Sequence, residues 1–269
     1  MNHTLGLYRR LIAANIRSQM SYRVSFWMES LASFIATITA FITLALILER
    51  FNNIAGWTLW EVAFLYGMVE TAFGVMDILF SGFDPQNFGL QVRLGRFDQL
   101  LLRPASITLQ VLGSQFTMRR VGRIAQGLLV LGLAFSRLHL HWTPVKLLYL
   151  PVTFASLVAF YGGLNVIGAT ITFWTVESIE AINIFTYGGS ELMAYPMQIY
   201  QDWMRLFFTY IVPAIFLNYY PALYFLDKAD PFHLPAAAHF LAPVAGFGVL
   251  AVGILFWGFG LRHYQSTGT

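Results

Sequence analysis

Glu70, Asp77 and Asp84 stand seven residues apart, a spacing that puts three carboxylates on one face of a helix. Their surroundings from 61 to 83 are apolar, so the chemistry open to them is that of acids in hydrocarbon. They can line a path for a solute, take up a proton, or hydrogen-bond to a neighbouring helix. An ionised carboxylate at the centre of a bilayer costs about 3 kcal/mol, so Glu70 must face other helices, be protonated or have a partner. A pathway-lining or proton-linked role and a buried helix-to-helix bond stand level for Glu70. For Asp77, nearer the headgroups, the buried bond is favoured. Glu177 and Glu180 open a later apolar stretch, where carboxylates complement a helix N-terminus.

Other reactive constellations are missing. His139 and His141 could share a metal, yet no carboxylate lies within ten residues of them, and they read as interfacial loop histidines. With no cysteine there is no disulfide, thiolate metal site or cysteine nucleophile. The sequence carries no nucleophile elbow and no H-E-x-x-H helix. Its two lysines, Lys146 and Lys228, lie outside any G-x-x-x-x-G-K-[ST], so the chain has no phosphate-cradling loop. If ATP drives this protein, another subunit hydrolyses it. Gly246, Gly248 and Ala251 match G-x-G-x-x-A but sit inside an uncharged run with no preceding strand, so the match reads as chance. Gly246, Gly253 and Gly260 recur every seven residues instead, a small-residue face for close helix approach. Gly162, Gly163 and Gly168 suggest the same.

These residues must be held by membrane helices. In 269 residues, 57% are hydrophobic and 11% charged, and the mean hydropathy is +0.62. A soluble domain carries roughly 25% charged residues. The pI near 9.2 does not indicate nucleic acid, because the net charge is only +3 and no basic domain exists to dock a duplex. A spanning helix needs about 20 apolar residues. Uncharged intervals at 30–48, 147–176, 206–226 and 231–261 meet that length, and weaker stretches lie at 61–83, 121–138 and 178–200. Six spans with the N-terminus inside place eleven Lys and Arg on the cytoplasmic side against four outside, with Arg205 undecided. The expected fold is therefore an all-α integral membrane protein of six transmembrane helices. Residues 206–226, with Pro213, Asn218 and Pro221, become a re-entrant segment before the last span. Residues 1–23 carry Leu5, Tyr8, Ile12, Ile16 and Met20 at helical spacing and read as an amphipathic interfacial helix, not a cleaved signal peptide. Residues 24–269 form the transmembrane domain.

The most unusual stretch is the cytoplasmic loop 84–105. Asp84 and Pro85 end one helix, Gly95 permits a sharp reversal, and Arg96-Phe97-Asp98 precede Leu100, Leu101, Leu102, Arg103 and Pro104. The pattern suits a short helix, half sunk in the interface and half offered to a cytoplasmic partner. An interfacial helix that only anchors the fold suits it equally.

Gly95-x-Phe97-Asp98-x-x-Leu101-Leu102-Arg103-Pro104 resembles the loop signature of the type-2 ATP-binding-cassette (ABC-2) transporter permeases. Phe173-Trp174, Tyr195-Pro196 with Tyr200, and Pro213-Ala214 followed by Asn218-Tyr219-Tyr220-Pro221 add weaker matches. The resemblance covers nearly the whole chain. It implies a non-catalytic half-transporter of the bacterial inner membrane, with cytoplasmic termini, that exports a solute. Two permease chains, identical or homologous, would sit on two ATPase subunits that bind the ATP and Mg, and this chain would bind no cofactor. Residues 1–23 and the loop, with Arg93, Gly95, Arg96, Phe97, Asp98, Arg103 and Pro104, would meet the ATPases. The first, second and fifth spans would line the path, and Pro213, Asn218, Tyr219, Tyr220 and Pro221 would shape an outer re-entrant hairpin. Arg119, Arg120 and Arg123 could meet lipid headgroups, the ATPase, or Glu70 and Asp77. Two other readings are a non-translocating mechanical or scaffolding subunit and a proton-linked secondary carrier using Glu70.

Overall fold

The computed structural model describes residues 53–115, 121–175 and 180–266, with single positions between Arg17 and Leu46. The expected N-terminal interfacial helix, Arg119, Arg120 and Glu177 lie outside the described residues, as does much of the expected first span. Its described positions are helical, and Phe41 sets its ring 5.7 Å from that of Tyr66.

The centre of the bundle is α1, Leu59–Leu79. Its first turn is capped by Glu61, whose carboxylate accepts from the Thr58 amide at 2.8 Å. It is apolar almost all round and buried along most of its length, as a helix enclosed by other helices must be. Across it lies α5, Val121–Arg137. The contact is close because it is made at glycines. A Cβ on Gly67 would come within 2.9 Å of the Leu131 backbone, and one on Gly127 within 2.7 Å of the Thr71 amide.

The longest helix is α6, Pro144–Thr175. Its 32 residues reach about 48 Å, well beyond the hydrocarbon of about 30 Å, so it is longer than a bilayer crossing needs. Against it runs α10, Ala242–His263. The seven-residue glycine face of α10 lies on α6: a Cβ at Gly246 would overlap the Ser156 carbonyl, one at Gly253 would press on the Gly163 carbonyl, and one at Gly260 on Thr170 and Phe173. Among the described residues, α1, α6 and α10 are long and apolar enough to cross a membrane.

Between α6 and α10 the chain forms two irregular helical segments. The first, α7, joins Glu180–Asn183, a π turn at Ile184–Gly188 and Gly189–Met193. The second is a broken pair, α8 (Asp202–Tyr210) and α9 (Tyr219–Phe225), bent by 77° where Pro213 interrupts it. Both limbs meet the same end of the bundle. Arg205 of α8 stacks on the Phe232 ring at 4.4 Å, and Asp227, just past α9, pairs with Lys146 at the start of α6.

The segment between α1 and α5 folds as a compact body. After a turn at Ser81–Phe83 come α2 (Pro85–Arg93), α3 (Arg96–Leu101) and α4 (Ile107–Ser114). Asp84 caps α2 through the Asn87 amide at 3.0 Å, with Pro85 in the first turn. Gly95 turns the chain at φ +64°, in the left-handed region that favours glycine.

Candidate functional site

The loop between α1 and α5 has its own aromatic core. Phe83, Phe88 and Phe97 from the loop meet Phe173 from the end of α6, Trp257 from α10 and Tyr264 just beyond it. Ring centroids lie 5.4 Å apart for Phe88–Phe97, 5.1 Å for Phe97–Phe173, 5.0 Å for Phe97–Tyr264 and 4.9 Å for Phe83–Trp257. Edge-to-face contacts of this kind add about 0.5–1.5 kcal/mol per pair beyond burial. Polar bonds fix the orientation. The Trp257 indole donates to Thr108 Oγ1 at 3.0 Å, while Tyr264 and Ser266 donate to the two oxygens of Asp98 at 2.9 and 2.6 Å. Gln110 donates to the Leu100 and Ala105 carbonyls and closes the turn between α3 and α4. Burial and the bonded Asp98 push the Tyr264 hydroxyl up to about 12, so it remains a neutral donor at any physiological pH.

Phe97 is fully buried, and Asp98, half-buried, accepts from the C-terminal segment. A six-residue helix has one inward face, and the larger apolar ring takes it. Arg93, Arg96, Arg103 and Pro104 are exposed, as is Leu102 at 86%. These side chains form the outward surface, and Gly95 shapes the turn beneath them.

A second polar centre lies inside the bundle. Arg123 of α5 forks onto Glu70 of α1, with Nε to Oε2 at 2.6 Å and Nη2 to Oε1 at 2.9 Å. The Glu70 side chain is 4% exposed and that of Arg123 12%. The guanidinium also sits 4.2 Å over the Phe73 ring. A bidentate, charge-assisted pair is how a carboxylate is kept at this depth. Asp77, one heptad on, is buried as well. Of the two readings of Glu70, the helix-to-helix bond is the arrangement present.

The opposite end of the bundle carries its own pairs. Lys146, 3% exposed, reaches Asp227 at 2.7 Å and the Phe225 carbonyl at 3.1 Å. Lys228 reaches both oxygens of Glu61 and lies over the Trp57 ring. His141 stands 3.8 Å from Asp227 on the same exposed edge. The broken pair is tied into the bundle by Asn218, whose amide donates to the Leu65 carbonyl of α1 and the Met193 carbonyl of α7 at 3.1 and 2.9 Å. Tyr219, Tyr220 and Pro221 are buried around it, Tyr220 facing Asp230, while Pro213 sits half-buried at the bend. The pairs to Asp227 and Glu61 had no local signal in the sequence. The Glu70 pair had one, the basic cluster at the start of α5.

A bundle of long apolar helices with buried charge pairs has the build of a multi-pass membrane protein. The family model for the ABC-2 family transporter protein matches residues 34–268, and the chain belongs to that family. No curated protein matches the chain, and no solved structure matches it.

Proposed function

We infer that this chain is the permease subunit of an ATP-driven exporter of the bacterial inner membrane. It forms half of a translocation path with a second permease chain, identical or homologous. It draws its driving force from two separate ATPase subunits that hold the ATP and Mg. The observation that carries this reading is the loop body with its aromatic core shared between α2, α3, α6 and α10. Such a body transmits force: a push on its surface moves two membrane helices together instead of deforming a flexible connection. Arg93, Arg96, Leu102, Arg103 and Pro104 form the surface that a cytoplasmic ATPase contacts, with residues 1–23 as a second contact. Phe97 and Asp98 act behind it as positioning residues. The broken pair 202–225 is the outer re-entrant hairpin, since Arg205 and Asp227 both return to one end. The fork of Arg123 occupies both oxygens of Glu70, which argues against the secondary carrier built on that residue.

The test is reconstitution with a candidate ABC ATPase that co-purifies with this chain. Arg96→Ala combined with Arg103→Ala is expected to lower substrate-stimulated ATPase activity by about tenfold, the equivalent of about 1.4 kcal/mol of coupling, with membrane insertion intact. Full stimulation in that variant would remove the loop from the coupling role. Failure of any ATPase to co-purify would leave the scaffolding reading in its place.

A further inference from the structure

The bend at Pro213 leaves a groove along the side of the bundle. Its floor is α6, through Phe160, Leu164 and Ile167, and one wall is the first half of α10, from Leu241 to Val252. Val212, Pro213 and Phe216 at the bend make the other wall. Gly248 keeps the α10 wall low, since a Cβ there has nothing within 4 Å of it. The groove measures about 480 Å³, within the range of sites that enclose a small organic molecule. Ile211 and Val244 at its rim are each 70% exposed, so it opens on the side of the bundle.

Chemistry, depth and width together select the occupant. Every lining residue is apolar, so the groove offers no hydrogen bond to water or to a lipid headgroup, and such a space stays dry. Leu241 to Val252 spans about 16 Å of helix axis, close to half of a hydrocarbon layer about 30 Å thick. The groove therefore runs the depth of one leaflet. Gly246 lies on Ser156 and Gly260 on Thr170, so α10 runs parallel to α6 and that leaflet is the one at the Lys146 end. About 480 Å³ over about 16 Å leaves a section of about 30 Å², room for a single alkyl chain. Burial alone gives no preference, because lipid tails are as apolar as the groove. The gain is contact: a chain laid lengthwise here touches protein on three sides, against one on the outer surface of α10, and dispersion grows with the number of atoms in contact.

We propose that this groove is a binding site for one acyl chain of a phospholipid from that leaflet, held lengthwise between the Pro213 bend and the α6–α10 pair. The bound chain braces the broken pair against the bundle. The site requires only that the protein lies in a bilayer, and stands whether or not the chain transports a solute.

Native mass spectrometry of the full chain, released from detergent, tests it with two phosphatidylcholines that share a headgroup, dihexanoyl and dioleoyl. The dioleoyl lipid is expected to be retained and the dihexanoyl lipid lost. Gly248→Phe, which fills the groove, is expected to weaken retention by about tenfold. Gly258→Phe, at a second α10 glycine with nothing within 4 Å of a Cβ, is expected to leave it unchanged. Equal retention of the two lipids, or full retention by Gly248→Phe, overturns the proposal. A second measurement uses the bilayer itself: nanodiscs containing a phosphatidylcholine with a diazirine on its acyl chain are photolysed and the labelled residues mapped. Leu164 and Phe216 are expected to be labelled, and to lose the label in Gly248→Phe. Labelling confined to exposed positions of α10 outside the groove, such as Ile254, overturns it equally. So does a dimer of this chain that Gly248→Phe dissociates while Leu164 stays unlabelled, because a second copy then covers the groove.

Discussion

One ion pair and one hydrogen bond show how single residues set the cost of this fold. Arg123 and Glu70 are both removed from solvent, so removing one partner strands the other charge. Glu70→Gln is expected to destabilise the protein by about 3 kcal/mol, seen as a fall in the melting temperature of the purified protein. Replacing both, as Glu70→Leu with Arg123→Met, is expected to recover most of that loss, because the pair's desolvation cost disappears with it. A double variant as unstable as Glu70→Gln would contradict the account. Tyr264 titrates in a different window. Its pKa rises from 10.0 to about 12 in the fold, so the folded state keeps a proton that the unfolded chain releases. Its contribution to docking of the C-terminal segment on Asp98 is complete below about pH 10 and declines as pH rises toward about 12. Hydrogen exchange across α3 should follow that decline, and Tyr264→Phe should abolish the pH dependence.

Helix against helix, glycine decides how close two axes come. Gly246 faces the Ser156 backbone with no room for a Cβ, whereas Gly248, one half-turn on, has nothing within 4 Å. Gly246→Ala should therefore cost about 1–3 kcal/mol by forcing α10 away from α6, while Gly248→Ala should be neutral or slightly stabilising, both read from thermal unfolding. The loop body depends on one ring in the same way. Phe97→Ala should remove about 3–5 kcal/mol of local packing, and amide exchange should rise through α2, α3 and α4 while α1 keeps its protection. Uniform exchange across all four helices would mean that the loop is not a separate unit.

Across the molecule, the two ends differ in how they treat charge. At one end the two lysines, Lys146 and Lys228, are paired with Asp227 and Glu61. At the other, Arg93, Arg96, Arg103 and Arg262 are exposed. Exposed arginines near span ends face the cytoplasm, which sets the orientation we propose. In right-side-out vesicles, Trp142→Cys should be labelled by an impermeant maleimide and Leu102→Cys should be protected. The reverse pattern would invert the topology and remove the loop from reach of an ATPase.

Much of this was legible from composition and short-range spacing. The membrane class follows from the scarcity of charge. The Asp84-Pro85 cap, the Gly95 reversal and the heptad of glycines on α10 are local signals, because each depends on residues within a turn or two of one another. The family, too, could be read from the loop motif. The pairing of buried charges was legible only in part. Arg123 stands in a basic cluster that the sequence offers as one partner of Glu70, 53 residues away, but Lys146 and Asp227 are separated by 81 residues, and nothing near either specifies which distant group neutralises it. The inward turn of Phe97 is of the same kind: a six-residue helix shows no periodicity of its own, and its buried face is set by Phe173, Trp257 and Tyr264, which arrive only when α6 and α10 close against it. Local chemistry chooses the elements, and burial, a property of the assembled molecule, chooses which of their faces meet.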